Sequence, residues 1–207
     1  MIQPVDFLGV AEGADLIQLV TDWVFTHAVE QAASWRSALI ELEVAVNITV
    51  HDLRDSRLPD RLGQVCREVG VAPSSVVLEL TEASAMRHGA EVVVAMDRLR
   101  AKGFQLALDN LGSGAFSLLQ LRKLPLSQVK LDRSLIIGLS DDIDLKAVAE
   151  IIVYLAKKLG LRSVAQGVED AATLDFLRAI DCDMAQGNFM SRAVGPERIA
   201  ELARNGR

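Results

Sequence analysis

Gly103-Phe104-Gln105-Leu106-Ala107-Leu108-Asp109-Asn110-Leu111-Gly112-Ser113-Gly114 decides how the chain is read. Phe104 to Leu108 has few polar atoms and predicts an interior strand of a parallel sheet. Asp109 and Asn110 stand where that strand should end. Gly112 and Gly114 let the backbone turn sharply and come close to whatever sits there. Ligands of α/β folds bind at the carboxyl ends of strands, so two adjacent side-chain oxygens on such a turn can hold a metal. The same letters also spell an ordinary Asx-type turn. Taken alone, the stretch favours the ordinary turn; the rest of the chain shifts the balance.

Outward from this stretch, strand and helix signals alternate. Residues 14–35 have helical period, with Leu16, Val20, Trp23, His27 and Gln31 at steps of three and four and Asp15 as a cap. His27 reads as a packed or capping histidine, because no second ligand stands four residues on. Residues 42–50 are strand-like through their β-branched content, with Asn47 their one amide. A helix over 56–69 is stopped by Gly70 and Pro73. Residues 76–81 form an apolar strand with Glu79 inside it and Glu82 just beyond. A carboxylate in a buried strand costs several kcal/mol unless it is paired or metal-bound, which makes Glu79 informative.

The pattern continues with a helix over 83–102 and, after the 104–108 strand, a short helix over 115–123 closed by Pro125. A strand over 128–131 carries Lys130 and is followed by Asp132. Then come a helix over 144–159, a strand over 162–165 running into Gln166-Gly167-Val168-Glu169-Asp170, and a helix over 171–180. A last strand over 182–185 leads to Gln186-Gly187, and Pro196 opens a helix to about 204. Six alternations predict a parallel βα architecture in one domain, 1–207, either a barrel or an open doubly wound sheet. Each strand has a polar residue near its carboxyl end: Asn47, Glu79, Asp109, Lys130, Gln166, Gln186. Convergence of six strand ends favours the barrel.

Composition narrows the function classes. Hydrophobic residues make up 50% of the 207, aromatics 4%, and there are 14 glycines. An apolar share this high suggests surface that a partner covers. The net charge of −6 and the lack of any dense Lys/Arg cluster argue against DNA or RNA binding. Cys66 and Cys182 have no metal-ligand spacing and read as reduced core residues of a cytoplasmic protein. Residues 1–13 carry Asp6 and Glu12 and no basic segment, so no signal peptide is expected, and no apolar run approaches a membrane span.

In order and spacing, these positions resemble the EAL domain family of cyclic di-GMP phosphodiesterases. The resemblance rests on Val-Ala-Val-Asn-Ile-Thr (44–49), Leu-Glu-Leu-Thr-Glu (78–82), Ala-Leu-Asp-Asn-Leu-Gly-Ser-Gly (107–114) and Leu-Pro-Leu-Ser-Gln-Val-Lys-Leu-Asp-Arg-Ser (124–134). It extends to Val-Ala-Gln-Gly-Val-Glu (164–169), Ala-Gln-Gly-Asn-Phe (185–189) and the early segment 7–17. It implies a TIM-like βα barrel, here of about six strands, with the family's first two strands and its Glu-Ala-Leu motif expected to precede Met1. By resemblance, Asn47, Glu79 and Asp109 are metal ligands for Mg²⁺ or Mn²⁺, which favour oxygen ligands and carboxylate charge. Asp109, Asn110 and Gln186 lie against nucleotide, Lys130 and Glu169 belong to the catalytic set, and Glu82 steadies the glycine loop.

Three departures stand out. The family's paired aspartates are here Asp109-Asn110, its Ala-Glu-Gly-Val-Glu is Ala-Gln-Gly-Val-Glu with Gln166, and a proline expected after Gln-Gly is Ala193. In an active member two cations orient the substrate, activate water and stabilise the leaving oxygen. Asn110 and Gln166 keep shape and hydrogen bonding while deleting charge, and an amide is no base near neutral pH. Loss of a general base alone typically costs about 10²–10⁴ in rate. The expectation is a catalytically degenerate EAL-type domain, acting as a regulatory or protein-interaction module. A homodimer or partner protein would cover open strand edges, and a metal is possible only at a weakened site. The alternatives are a receptor that holds cyclic di-GMP without cutting it and a phosphodiesterase of residual activity. A phosphate-loop enzyme built on Gly-Ser-Gly is discounted, since Gly-Lys-Ser/Thr is missing.

Overall fold

Alternating apolar strands and amphipathic helices produce a parallel βα fold in the computed structural model, which describes Gly9, Ala11 and residues 16–87, 90–112 and 121–205. Among the described residues six strands stand in one sheet in chain order, the number the sequence rhythm predicts. The chain divides into two compact units, Met1–Glu79 with His88–Gln105, and Leu80–Arg87 with Leu106–Arg207.

In the first unit, helix α1 (Ile17–Ser37) precedes strand β1 (Val44–Asn47). Then follow α2 (Val50–Arg54), α3 (Leu58–Val69) and strand β2 (Val76–Thr81), whose last two residues belong to the second unit. Helix α5 (Ala90–Ala101) completes it. Strands β1 and β2 pair in parallel, with Val44 opposite Val76 and Asn47 opposite Glu79. Strand β2 is apolar and buried over Val76, Val77, Leu78 and Leu80, as suits a strand covered on both faces. Helix α1 buries Ile17, Thr21, Phe25, Val29 and Ala32, and the Phe25 ring meets Phe104 edge-on at 6.0 Å. Full burial of side chains of this size stabilises by about 1.5–3 kcal/mol each.

The second unit contains α4 (Glu82–Arg87), strand β3 (Gln105–Leu111, all but its first residue) and strand β4 (Gln128–Leu131). Helix α6 (Ile143–Lys158), strand β5 (Arg162–Gln166), helix α7 (Ala171–Ala179), strand β6 (Met184–Gln186) and helix α8 (Pro196–Asn205) follow. Strands β3 to β6 pair in parallel. Leu131, Ala149, Val153, Ala165, Val168 and Leu177 pack into one apolar cluster between strands and helices. Asp142 and Asp170 cap α6 and α7, each accepting backbone N–H bonds from the first turn.

The structure corrects several expectations. On α1 the face chosen from the sequence, Leu16, Val20, Trp23, His27 and Gln31, is not the buried one: Trp23 is 62% exposed and Leu16 48%. His27 is exposed too, its Nδ1 on the Trp23 carbonyl oxygen at 2.8 Å and its ring against the Trp23 ring. The helix is apolar on two sides, so period alone could not choose between them. The expected 42–50 strand stops at Asn47, because Thr49 and Asp52 form a capping box that starts α2. The expected 83–102 helix is two helices, α4 and α5. Asp15, Ser113 and Gly114, and residues 115–120 of the expected short helix, lie outside the described residues.

Candidate functional site

Strand β3 does not end at Leu108. It runs on through Asp109 and Asn110 to Leu111 with an extra residue in its ladder. Leu108 opposes Val129 and Leu111 opposes Leu131, so three steps on β3 match two on β4. The residue that takes up the mismatch is Asn110, at φ 58°. Asparagine is among the few side chains that tolerate this left-handed region. Bulges of this kind re-aim side chains near functional sites.

Beyond the bulge, Gly112 has φ 96°, and a Cβ there would come within 2.5 Å of Leu135 Cδ1. Its N–H donates to Glu82 Oε2 at 2.9 Å, and Glu82 is buried. The start of the glycine loop is thereby tied to a carboxylate on α4. Glycine is required a second time after β6: a Cβ on Gly187 would stand 2.1 Å from the Val168 carbonyl oxygen.

Around the bulge the second unit gathers three of the expected side chains. Gln166 Nε2, at the end of β5, donates to Asp109 Oδ1 at 3.0 Å. Lys130 Nζ, from β4, stands 3.9 Å from the same oxygen. Both charged side chains are largely buried, Lys130 8% and Asp109 13% exposed. At an effective dielectric of about 20 their attraction is on the order of 4 kcal/mol, before desolvation is charged against it. An amide that faces a carboxylate must present its N–H₂, so Gln166 acts here as a donor.

Glu169 is exposed and pairs with Arg133 Nη2 at 2.7 Å; a surface pair of this type contributes about 0–1 kcal/mol. Sequence reading passed over Arg133, although Asp-Arg-Ser directly after β4 was its signal. Gln186 is exposed and lies opposite Gln166 in the β5–β6 register. Asn110 is half-buried. In the first unit, Asn47 is exposed at the end of β1 and its register partner Glu79 is buried.

A divalent ion needs several oxygen lone pairs converging with net negative charge. Among the described residues no three His, Cys, Asp or Glu side chains form a group that could hold a metal ion. Around Asp109 the donors are an ammonium and an amide N–H₂, which compete with a cation. The described residues of this unit therefore do not fit the two-cation arrangement that the family resemblance implies. Among the described residues no helix is long and apolar enough to cross a membrane.

Comparison with known proteins shows the family and the fold. The EAL domain family model matches residues 1–193. The chain is 30% identical over 203 residues to the cyclic di-GMP phosphodiesterase PA2567 of Pseudomonas aeruginosa, covering 98% of this chain and 35% of that protein. It is 34% identical over 200 residues to the bifunctional diguanylate cyclase/cyclic di-GMP phosphodiesterase MucR of the same organism, covering 96% and 29%. The chain thus spans about a third of the length of these curated relatives. The solved cyclic di-GMP complex of the PaMucR phosphodiesterase superposes with a TM-score of 0.89 at 34% identity, over 96% of this chain and 81% of that one. BlrP1 of Klebsiella pneumoniae, solved as a manganese/cyclic di-GMP complex, shares the fold with a TM-score of 0.75 at 24% identity, over 81% and 42%. The fold is α/β, a parallel sheet of the TIM-like EAL type.

Proposed function

This chain belongs to the EAL domain family, and from that premise we propose that it serves cyclic di-GMP signalling as a regulatory module that does not hydrolyse the nucleotide. One observation carries the reading: the Gln166 amide donates to the Asp109 carboxylate, beside the Lys130 ammonium. Where the family resemblance implies a carboxylate able to take a proton from water, this chain has a group that cannot. Asn110 removes a second charge one residue from Asp109. Without a base and without convergent ligands, the attacking water stays close to bulk water in reactivity.

The module's output would be contact with another protein. Among the described residues, strand β1 stands at the edge of the sheet. Ile48 N–H donates to the Glu79 carbonyl oxygen, so the backbone groups of Ala45 and Asn47 point to the other edge. Both residues are exposed, and an open edge of this kind invites a second strand from a partner or a second copy. A receptor that binds cyclic di-GMP without cutting it is the second reading, favoured by the buried ammonium of Lys130.

Turnover of cyclic di-GMP with Mn²⁺ tests the proposal. The expected result is no linear product from the natural chain, and a gain of about 10²-fold or more over that background in the Asn110→Asp/Gln166→Glu variant. Linear product from the natural chain that disappears in Asp109→Ala would overturn the reading. Calorimetry with cyclic di-GMP, with and without Mg²⁺, decides the second reading: no heat at high micromolar nucleotide removes it.

A further inference from the structure

We infer that Gln166 is the residue that sets the ion preference of this site: with Lys130 it makes Asp109 a carboxylate closed to divalent cations, neutralised by the chain's own ammonium instead. The inference rests on the functional reading above and goes beyond it, because it assigns the loss of metal chemistry to one side chain and makes it reversible there.

The geometry is specific. A hydrogen-bond donor at 3.0 Å and an ammonium at 3.9 Å converge on one oxygen, Asp109 Oδ1, from separate strands. Lys130 sits in the interior of the ladder, opposite Val164 of β5, and its side chain is buried. Its charge is therefore fixed in place, where a surface lysine would swing away. The Gln166 amide can offer its oxygen to a cation seated on Asp109 Oδ1 only by turning over. That would break its bond to Asp109 and set a lone pair against the carboxylate. The three groups sum to zero charge, so nothing in the trio draws a divalent ion in. Glutamate at 166 has nearly the same shape as glutamine. It would delete one donor, add lone pairs and leave the trio at a net charge of minus one. That is the change a hard cation responds to.

The test is Mn²⁺ binding by the whole 207-residue chain, read by electron paramagnetic resonance of free Mn²⁺ and by melting in Mn²⁺ against chelator. The natural chain should leave Mn²⁺ free into the millimolar range and melt identically in both. Gln166→Glu should bind at least about tenfold more tightly, and its melting temperature should rise with Mn²⁺. A natural chain that takes up one Mn²⁺, lost in Asp109→Asn, overturns the inference, and so does folded Gln166→Glu that binds no better than the natural chain. Should that variant fail to fold, the natural chain still decides: the Gln166 side-chain amide resonances should stay sharp with added Mn²⁺, and selective broadening near one equivalent would overturn the assignment. The two readings fail separately. Turnover by a natural chain whose Asp109 holds no Mn²⁺ defeats the functional proposal and leaves ion exclusion standing; Mn²⁺ on Asp109 without turnover does the reverse.

Discussion

Two buried carboxylates, one in each compact unit, are held in opposite ways. Asp52 in the first unit is fully buried, and every donor it has lands on Oδ2: Thr21 Oγ1 at 3.0 Å, Thr49 N–H at 2.7 Å and Thr49 Oγ1 at 2.8 Å. Two of those three come from a residue three positions away. Oδ1 has no hydrogen-bond partner among the described residues. Asp109 in the second unit accepts a hydrogen bond from Gln166 and faces the Lys130 ammonium at 3.9 Å, both on other strands, and one of them carries a full charge. Asp52, the third residue of the five-residue helix α2, closes a capping box with Thr49 and takes one more donor from the Thr21 hydroxyl of α1. Asp109 is satisfied by long-range groups that converge only once the sheet has formed. A carboxylate placed for structure can be served by its sequence neighbours. One placed at converging strand ends needs the fold to bring its counter-charge.

The largest effect should come from breaking the charged partner. Lys130→Met leaves Asp109 buried beside an amide alone, and loss of one member of a buried pair typically costs 3–5 kcal/mol. The 3.9 Å separation and the residual exposure of Asp109 put the expected loss near the lower end, about 3 kcal/mol by urea unfolding. Adding Asp109→Asn to that variant should restore most of the loss, because the uncompensated charge goes with it. Equal, additive losses in the two single variants and the double would show that the pair is not coupled, and the contrast with Asp52 would fall.

At Asp52 the corresponding change is Thr21→Val, which keeps shape and deletes one hydroxyl donor to a carboxylate. Bonds of that class contribute about 1.5–3 kcal/mol, and the expected loss is about 2 kcal/mol. A smaller loss than from Lys130→Met sharpens the contrast between a hydroxyl-held and a charge-held carboxylate. The reverse order would mean that the single donor from α1 matters more to the molecule than the buried ammonium.

Much of this was legible in the sequence, and what was missed has physical causes. Strand β2 is found where its apolar run stands, because a strand buried on both faces writes itself as a nearly continuous run. The polar residues at the six strand ends were also readable, since each interrupts such a run. The bulge at Asp109 and Asn110 was not. An extra residue in a ladder leaves no trace in alternation, and only pairing with β4 reveals it. The buried face of α1 was chosen wrongly for a related reason: both faces carry large apolar side chains, and the choice is made by the neighbours α1 packs on. The start of α2 could have been read. Thr49 and Asp52 have the spacing of a capping box, but the β-branched run before them drew the strand too far. The convergence of Gln166 on Asp109 spans 57 positions, beyond any local pattern.

The smallest expected effect is the pH dependence that Asp52 brings to stability. Burial is the largest influence on Asp52 and pushes its carboxyl above the ordinary aspartate range, against the hydrogen bonds from Thr49 and Thr21 that pull it down. A raised folded value means that the native chain holds this proton more tightly than the unfolded chain does. Between the two values the native state carries more bound protons, so stability falls as pH rises through that window and then levels off. Asp55, a few residues away, has the opposite sign: its bonds from the Arg57 N–H and from Arg61 hold its carboxyl low. Its contribution is present above the unfolded value and is lost as pH falls. Denaturation midpoints of Asp52→Asn against the natural chain, taken from mildly acid to neutral pH, isolate the first slope from the second. The natural chain should lose ground to the variant as pH rises, by a fraction of what Lys130→Met loses. A natural chain that gains on Asp52→Asn over that range would mean that the three donors on Oδ2 outweigh burial.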